Sequence, residues 1–319
     1  MKKIYNVKLT TIGPVFIGSG QFLRKNQYLY YGHEERVAII DEVKLIESLM
    51  KAGKYNNFFT GVSQNRVHDL KDFLDKYNIN PSPFILYNLP FNAYKNTKNN
   101  LNDLKLFMRN GQNEAYIPGS SLKGALRTCL LLKQSDDKKD NEMFKFLSVS
   151  DSDVICNKSF EIFQKVDFTS PKKIPNSISL YRECVKPCVS VNFVLSLDED
   201  YITFTNLKKE IRETYTRYHS SWAGKIRSPQ IHPNMMGERL LLYLGGGSGF
   251  VSKTLHYKEK PTHLAREHVL GILNRKFQTY KDVDNPQNAP MAVKLAPSAK
   301  GDLEMGLCEL TFDEVDMKL

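Results

Sequence analysis

The sequence predicts an α+β fold, because strand-like alternation and helix-like spacing both recur along its 319 residues. Apolar and polar residues alternate over 3–17 and again over 190–197, which is typical of half-buried strands. Leu122, Leu126 and Leu130 recur at helical spacing and predict one buried helix face. With 41% hydrophobic residues, the chain can bury one large core or two smaller ones.

The first strand region breaks at Gly13-Pro14, and a glycine turn with cations after it follows. Such a turn predicts either a phosphate contact or a hairpin tip with solvated charges. Residues 37–40 then predict a short buried strand, and Asp41 is placed to cap the next helix. The candidate phosphate contacts here are Gly18, Ser19, Arg24 and Lys25.

A polar region rich in asparagine and lysine, residues 51–113, predicts an inserted, mainly helical subdomain. Helical pieces are predicted near 66–77 and 101–108, with proline-containing turns between them. No motif in this region points to a ligand, and we expect its surface to face a neighbouring subunit.

The helix after Pro118 carries the strongest signal for an anion site. Either serine at its start could cap it, and its cations lie near the positive end of the helix dipole. There each cation is unfavourable by roughly 0.3–1 kcal/mol, whereas a bound anion is favourable. The candidate contacts are Gly119, Ser120, Ser121, Lys123 and Arg127, with Gly124 leaving room for close approach. The alternative is an ordinary amphipathic helix with solvated cations.

Two other patterns could indicate a metal site or a catalytic site, but a structural role is favoured for each. The carboxylates of Asp151 and Asp153 could bind a metal or act as acid and base, but Asp and Ser commonly bond to neighbouring backbone in turns. Cys184 and Cys188 are four residues apart, and no second Cys or His pair completes a zinc site. We therefore predict no metal site and no catalytic residue.

The carboxyl-terminal half adds a cationic loop, residues 170–187, which contains Arg182. Residues 190–197 predict a strand with a hairpin partner at 201–205, and 207–222 predict a helix with one apolar face. A glycine-rich loop follows, and its candidate contacts are Gly245, Gly246, Gly247, Ser248, Gly249 and Lys253. Because Ser252, not glycine, precedes that lysine, the loop does not match a nucleotide-binding P-loop.

The charge balance favours a polyanionic partner. Lys and Arg total 45 and Asp and Glu total 35, so the formal net charge is +10. No apolar run is long enough for a membrane span, and the first residues lead into a strand and not a signal peptide. Five cysteines, an odd and scattered set, indicate reduced thiols and a cytoplasmic protein.

Residues 118–127 (PGSSLKGALR) resemble the signature of the RAMP superfamily, the RNA-binding subunits of CRISPR effector complexes. Three further stretches fit that family in order: 11–20 (TIGPVFIGSG), 149–153 (VSDSD) and 245–250 (GGGSGF). The amino-terminal form and the ending at 306–310 (GLCEL) are most similar to a type III-A subunit located where the guide RNA ends.

The resemblance implies ferredoxin-like lobes related to the RNA-recognition motif, the RAMP fold. We expect one lobe over 1–195, carrying the helical insertion, and a second over 196–319, carrying the glycine-rich loop. It also implies a non-catalytic subunit that caps the 3′ end of the guide RNA (crRNA) and supports crRNA maturation in antiviral defence. The implied partners are crRNA, other Csm/RAMP subunits and host nucleases, with no cofactor, no membrane and no direct DNA contact.

The alternative is a RAMP endoribonuclease that processes guide precursors with a histidine. The seven histidines show no pairing of an acid with a base; they are His33, His68, His219, His232, His256, His263 and His268. No aspartate lies in a motif for metal-dependent cleavage either. A purely structural protein is disfavoured by cations placed beside glycine and serine loops.

Overall fold

The structure, a computed structural model, consists of three β-sheets and the helices that pack on them. It describes residues 1–94, 101–131, 142–169, 175–176, 180–226, 237–253, 260–276, 292–298 and 301–315. Within these ranges no helix is both long and apolar enough to cross a membrane.

The first sheet contains both ends of the described chain. Its five strands run in the order β13-β16-β1-β12-β7, and all neighbours are antiparallel. The strands are β1 Lys2–Thr11, β7 Leu147–Val149, β12 Ser190–Asp198, β13 Leu240–Tyr243 and β16 Leu307–Glu314. Alternation in β1 buries Tyr5, Val7 and Leu9 on one face, as the sequence predicted.

Two helices, α4 Gly119–Leu130 and α5 Phe204–Tyr218, share one core with that face. Leu122, Leu126 and Leu130 are all buried, which confirms the predicted apolar stripe. In chain order the elements are β1, α4, β7, β12, α5 and β16, and the four strands lie in the order β16-β1-β12-β7. This βαββαβ arrangement is ferredoxin-like, so the predicted α+β fold is confirmed.

The second sheet has seven strands in the order β2-β6-β11-β8-β5-β4-β3. They are β2 Gly18–Leu23, β3 Tyr28–Tyr31, β4 Arg36–Ile40, β5 Ile85–Asn92, β6 Leu104–Phe107, β8 Phe160–Gln164 and β11 Tyr181–Val185. Three helices, α1 Glu42–Lys51, α2 Tyr55–Ser63 and α3 Leu70–Lys76, form a separate core against β3 and β4. The Asp41 carboxylate accepts the Val43 N–H at 3.0 Å, so the predicted cap of α1 is confirmed.

The third sheet has the order β10-β9-β14-β15. Its strands are β9 Val166–Thr169, β10 Pro175–Asn176, β14 Ala292–Ala296 and β15 Leu303–Glu304. Residues of β9 and β14 share a core with α5 and with the helix α6 Thr262–Lys276. This third sheet therefore lies against the same helix that covers the first sheet.

The predicted cationic loop at 170–187 is wrong at residues 181–185, which form the buried strand β11 between β6 and β8. Two further element predictions are wrong. Residues 101–108, predicted to be helical, contain the strand β6, which pairs with β2 and β11. Residues 201–205, predicted as a hairpin strand, lead into α5, where the Thr203 hydroxyl accepts the Asn206 N–H at 3.2 Å. Both stretches are short apolar runs that do not distinguish helix from strand, so tertiary pairing and capping decide.

The predicted lobe boundary at 195/196 falls inside β12. That strand pairs with β1 over nine residues, and β1 also pairs with β16. The division of the chain into two lobes stays a prediction, as does the role of the insertion at 51–113.

Removing the core side chain of Leu126 should destabilise the fold. Leu126 is fully buried between α4 and the first sheet, so Leu126→Ala should lower the free energy of unfolding by about 2–5 kcal/mol. Urea unfolding followed by circular dichroism measures this, with Ser120→Ala on the exposed side of α4 as control. A loss below about 1 kcal/mol would contradict the placement of this helix.

Candidate nucleic-acid interface

The amino terminus of α4 is capped by a carboxylate from another element. The helix begins at Gly119, and the Gly119 N–H donates to the Asp151 Oδ1 at 2.8 Å. Pro118 occupies the cap position, so the predicted serine cap is wrong: Ser120 and Ser121 lie inside the first turn. An ionised carboxylate suits the positive end of the helix dipole better than a hydroxyl.

The loop that supplies Asp151 is structural, in line with the favoured prediction. Its Ser152 Oγ accepts the Ile117 N–H at 2.9 Å, and Asp153 accepts a hydrogen bond from Asn192 at 3.0 Å. A Cβ at Gly119 would lie 2.3 Å from the Val149 carbonyl oxygen, so this close approach requires glycine. No group of three metal-ligating side chains occurs among the described residues.

A cavity of about 370 Å³ brings together candidates that are far apart in the sequence. Gly18, Ser121, Gly245, Gly246 and Lys253 all line this central cavity, which lies between α4, α5 and β13. The Gly246 N–H donates to the backbone oxygen of residue 16 at 2.6 Å and ties the glycine-rich loop, residues 245–250, to the start of β2.

Lys253 lies at the rim of the central cavity. Its ammonium group donates to the Gly245 carbonyl oxygen. Although much of the side chain is exposed, atoms around the ammonium group exclude water and lower its pKa. A cation tied to a carbonyl oxygen at a rim can still contact an incoming anion.

Three buried tyrosines lie along another side of the central cavity. Tyr215 and Tyr243 lie with ring centroids 6.2 Å apart and nearly parallel, and Tyr218 meets Tyr243 edge-on at 5.1 Å. The Tyr243 hydroxyl contacts His219 Nε2 at 2.8 Å and donates to Glu304. Burial, together with the Glu304 charge, raises the pKa of Tyr243 well above its ordinary value.

Sequence reasoning missed these tyrosines as site residues. Tyr215 and Tyr218 follow the helical spacing of α5, and that spacing predicts only a core-facing stripe. No sequence signal separates a core tyrosine from one whose ring lines a cavity.

Arg182 lies beneath the glycine-rich loop. A Cβ at Gly247 would lie 3.6 Å from the Arg182 Nε, and the guanidinium carbon lies 5.4 Å from the centre of the Phe16 ring. Arg182 is only 9% exposed, yet its Nε and Nη1 have no hydrogen-bond partner among the described residues. Burial lowers the pKa of this guanidinium group.

Further cations surround Arg182. Asp167 pairs with Lys165 and with Lys294, each at 2.6 Å, and a Cβ at Gly249 would lie 3.0 Å from the Lys294 Cγ. Gly247 and Gly249 have φ values of +95° and +94°, which side chains rarely adopt. The loop therefore passes close to Arg182 and Lys294, and Lys294 shares the Asp167 carboxylate with Lys165.

The other candidates lie away from the central cavity. Lys123 is half-buried on α4, and the Arg127 guanidinium lies 5.3 Å from the Phe144 ring centre. Lys25 pairs with Asp69 at 3.1 Å, and Arg24 lines a separate cleft beside α1 and α2. Two serine hydroxyls donate to backbone carbonyl oxygens, Ser19 to Leu106 and Ser248 to Gly245.

Two backbone N–H groups that we expected to face an anion already donate hydrogen bonds within the protein. The Gly119 N–H is bonded to Asp151, and the Gly246 N–H is bonded to the oxygen of residue 16. An anion bound at these loops would therefore be contacted by side chains and by other amides.

The histidines do not form a catalytic arrangement in the described part of the chain. His219 is 2% exposed and engaged with Tyr243, while His33, His68, His263 and His268 lie at exposed positions. His232 and His256 lie outside the described residues.

A family model for the RAMP superfamily matches residues 8–252 of the chain. A Csm5 protein of Enterococcus italicus is 34% identical and aligns over 99% of each chain. A Csm5 protein of Streptococcus thermophilus is 24% identical and aligns over 98% of each chain.

Solved structures have the same fold. A chain of a type III-A Csm–crRNA–target RNA ternary complex matches with a TM-score of 0.70 and 18% identity, covering 98% of this chain and 100% of that one. The crystal structure of Csm5 from T. onnurineus matches with a TM-score of 0.60 and 17% identity, covering 94% and 99%.

The carboxylate beneath the glycine-rich loop should make stability sensitive to acid. Burial alone would raise the pKa of Asp167, but Lys294 and Lys165 outweigh burial and lower it below its ordinary value of 3.8. A lowered pKa stabilises the fold above that value, and the contribution is lost as the pH falls through the folded-state pKa. Asp167→Asn should therefore be less stable than wild type at neutral pH.

That difference should shrink as the pH falls from about 5 towards about 2. Urea unfolding across this range measures it, and Asp313→Asn, at an exposed position of β16, is the matched control. A difference that stays constant with pH would show that the carboxylate charge is not what stabilises this region.

Proposed function

We propose a function on the premise that this chain belongs to the RAMP superfamily and, within it, to the Csm5 family. It is a subunit of a type III Csm effector complex. Within that complex it binds the guide RNA without cutting it, and it caps the 3′ end of that RNA. The RNA backbone contacts lie at the glycine-rich loop, at Arg182 and at the start of α4.

The observation that carries this proposal is that two nitrogens of the buried Arg182 have no hydrogen-bond partner among the described residues. Buried donors without a partner are costly, so an anion that reaches them replaces lost hydration with hydrogen bonds. The neighbouring Glu183 provides the contrast: it is fully buried and accepts hydrogen bonds from Arg109, Tyr87 and the Phe107 N–H. Within the described residues, the fold thus satisfies the carboxylate of Glu183 and leaves two nitrogens of the adjacent Arg182 without a hydrogen-bond partner.

A phosphate group is the anion that fits this position. Arginine binds phosphate oxygens through charge-assisted hydrogen bonds, and Arg182 Nε and Nη1 have no partner among the described residues. Contacts to phosphates position a strand without reading its bases. Recognition at this loop should accordingly depend little on RNA sequence.

The partners follow from the family. The relatives are named as subunits of the Csm system, and a chain of the same fold occurs in a solved Csm–crRNA–target RNA complex. The partners proposed for this chain are crRNA and other Csm subunits, with host nucleases joining during crRNA maturation in antiviral defence. The proposed location is the cytoplasm.

The geometry supports a non-catalytic role. General acid–base cleavage of RNA needs a side chain within hydrogen-bond reach of a 2′-hydroxyl or of the leaving oxygen. His219, the histidine nearest the central cavity in the described chain, is buried behind Tyr243 and bonded to its hydroxyl. It cannot contact RNA without breaking that network.

Replacing Arg182 with an apolar residue should separate stability from RNA binding. Arg182→Met removes a buried unpaired charge, so the melting temperature of the free protein should stay the same or rise. The loss of charge-assisted hydrogen bonds should weaken binding of single-stranded RNA by about 1.5–3 kcal/mol. Thermal melting and fluorescence polarisation with a labelled RNA measure the two effects.

Arg239→Met is the matched control, since Arg239 pairs with Glu309 through two hydrogen bonds of 2.9 and 2.8 Å. It should lower the melting temperature slightly and leave RNA binding unchanged. If Arg182→Met melts lower and binds RNA as wild type does, Arg182 has a structural role and the proposal loses its support.

Replacing the cations of α4 should also weaken RNA binding. The structure corrects the expected placement of one of these cations: Lys123 lies nearer the positive end of the helix dipole, but Arg127 lies in the last turn, where the dipole favours a cation. Replacing both with Ala should therefore change the melting temperature little. RNA binding should weaken by about 1–3 kcal/mol in total. Replacing Lys51 and Lys76, exposed cations at the carboxyl ends of α1 and α3, is the control. Unchanged RNA binding in the first variant would exclude α4 from the interface.

A further inference from the structure

We propose that Phe250, the last residue of the glycine-rich loop, stacks its ring on one base of the bound RNA. This inference rests on the proposed function, which assigns only backbone contacts to the loop, and it adds one contact to a base. The phosphates bind at Arg182, and the base next to them covers the Phe250 ring.

The Phe250 ring is open to a ligand. The residue is 41% exposed, and no aromatic ring or cationic group stacks on it within the part of the chain that the structure describes. Other exposed aromatic residues are already engaged. Phe59 packs against Tyr55, with ring centroids 4.6 Å apart. Tyr201 stacks on Phe146, with centroids 3.5 Å apart.

The neighbours of Phe250 in the sequence hold it at the surface. Gly249 passes against Lys294, since a Cβ at position 249 would lie 3.0 Å from the Lys294 Cγ. On the other side, Val251 is buried in the core that includes residues of α5 and α6. The Phe250 carbonyl oxygen accepts the Lys253 N–H at 3.2 Å. Because its backbone is fixed in this way, Phe250 loses little conformational freedom when a base stacks on it.

Phe250 lies close to the donors assigned to a phosphate. A Cβ at Gly247 would lie 3.6 Å from the Arg182 Nε, and Phe250 follows Gly247 by three positions. Three residues of chain span at most roughly 10 Å. A strand whose phosphate is bonded to Arg182 therefore has a base within reach of the ring.

A phenylalanine ring suits a contact that tolerates any sequence. It has no hydrogen-bonding group with which to read a base edge, whereas every base has a face on which it can stack. Proteins that bind single strands without sequence preference combine cations along the backbone with aromatic rings on the bases. The loop places Phe250 among Arg182, Lys253 and Lys294, so it presents both kinds of group.

Two probes separate the base contact from the backbone contact in the full-length protein. One is an oligouridylate, and the other is a strand of the same length built from abasic ribose phosphates. Phe250→Ala should weaken binding of the oligouridylate about tenfold, the loss expected for one stacked base, and should leave binding of the abasic strand unchanged. Arg182→Met should weaken binding of both probes.

Phe59→Ala is the matched control, since Phe59 is also 41% exposed but lies on α2. It should bind both probes as wild type does. Fluorescence gives a second readout, with the signal of the one wild-type tryptophan, Trp222, subtracted. Oligouridylate should quench the emission of Phe250→Trp and leave that of Phe59→Trp unchanged.

The outcomes distinguish this inference from the proposed function. If Phe250→Ala binds the oligouridylate as wild type does, or loses affinity equally for both probes, the inference is overturned and the proposed function stands. Wild-type protein that binds neither probe would overturn the proposed function and this inference with it.

Discussion

The pairing of β1 with two distant strands is the constraint on which the rest of the structure depends. β1 lies in the middle of the first sheet, next to β12 on one side and β16 on the other. The two registers join the first residues of the chain to positions near 194 and near 310. Because a one-residue slip would turn Tyr5, Val7 and Leu9 towards solvent, the buried face fixes both registers at once. The break at Gly13-Pro14 then brings the start of β2 against the glycine-rich loop.

Periodic patterns within a single helix or strand were predictable from the sequence, but contacts between elements were not. The leucine stripe of α4 and the alternation of β1 follow from periodicity, which each element carries in itself. The cap of α4 comes from Asp151, and β6 is a strand because β2 and β11 flank it. Neither fact can be predicted from the local sequence. Serines next to a helix start favour a cap only when no better acceptor is brought in by the fold.

The candidate site shows the same division. Sequence analysis identified the glycine-rich loop, Arg182 and the start of α4 as candidate anion contacts. It could not rank the cations among them, although their surroundings in the structure differ greatly. Lys25 is paired, Arg127 lies against an aromatic ring, and Arg182 is buried without a partner at two of its nitrogens. Desolvation separates these cases, and it depends on the neighbours in space.

The burial of Arg182, with two nitrogens that lack a hydrogen-bond partner among the described residues, also bears on how much of this subunit a cell can keep. With the proposed role of Arg182, RNA binding would stabilise the protein, and the gain would grow with the logarithm of the RNA concentration. Chains made in excess of guide RNA would unfold more often and meet proteases sooner than chains already in a complex. The supply of guide RNA would then set the level of the subunit, with no dedicated regulator and no step other than binding.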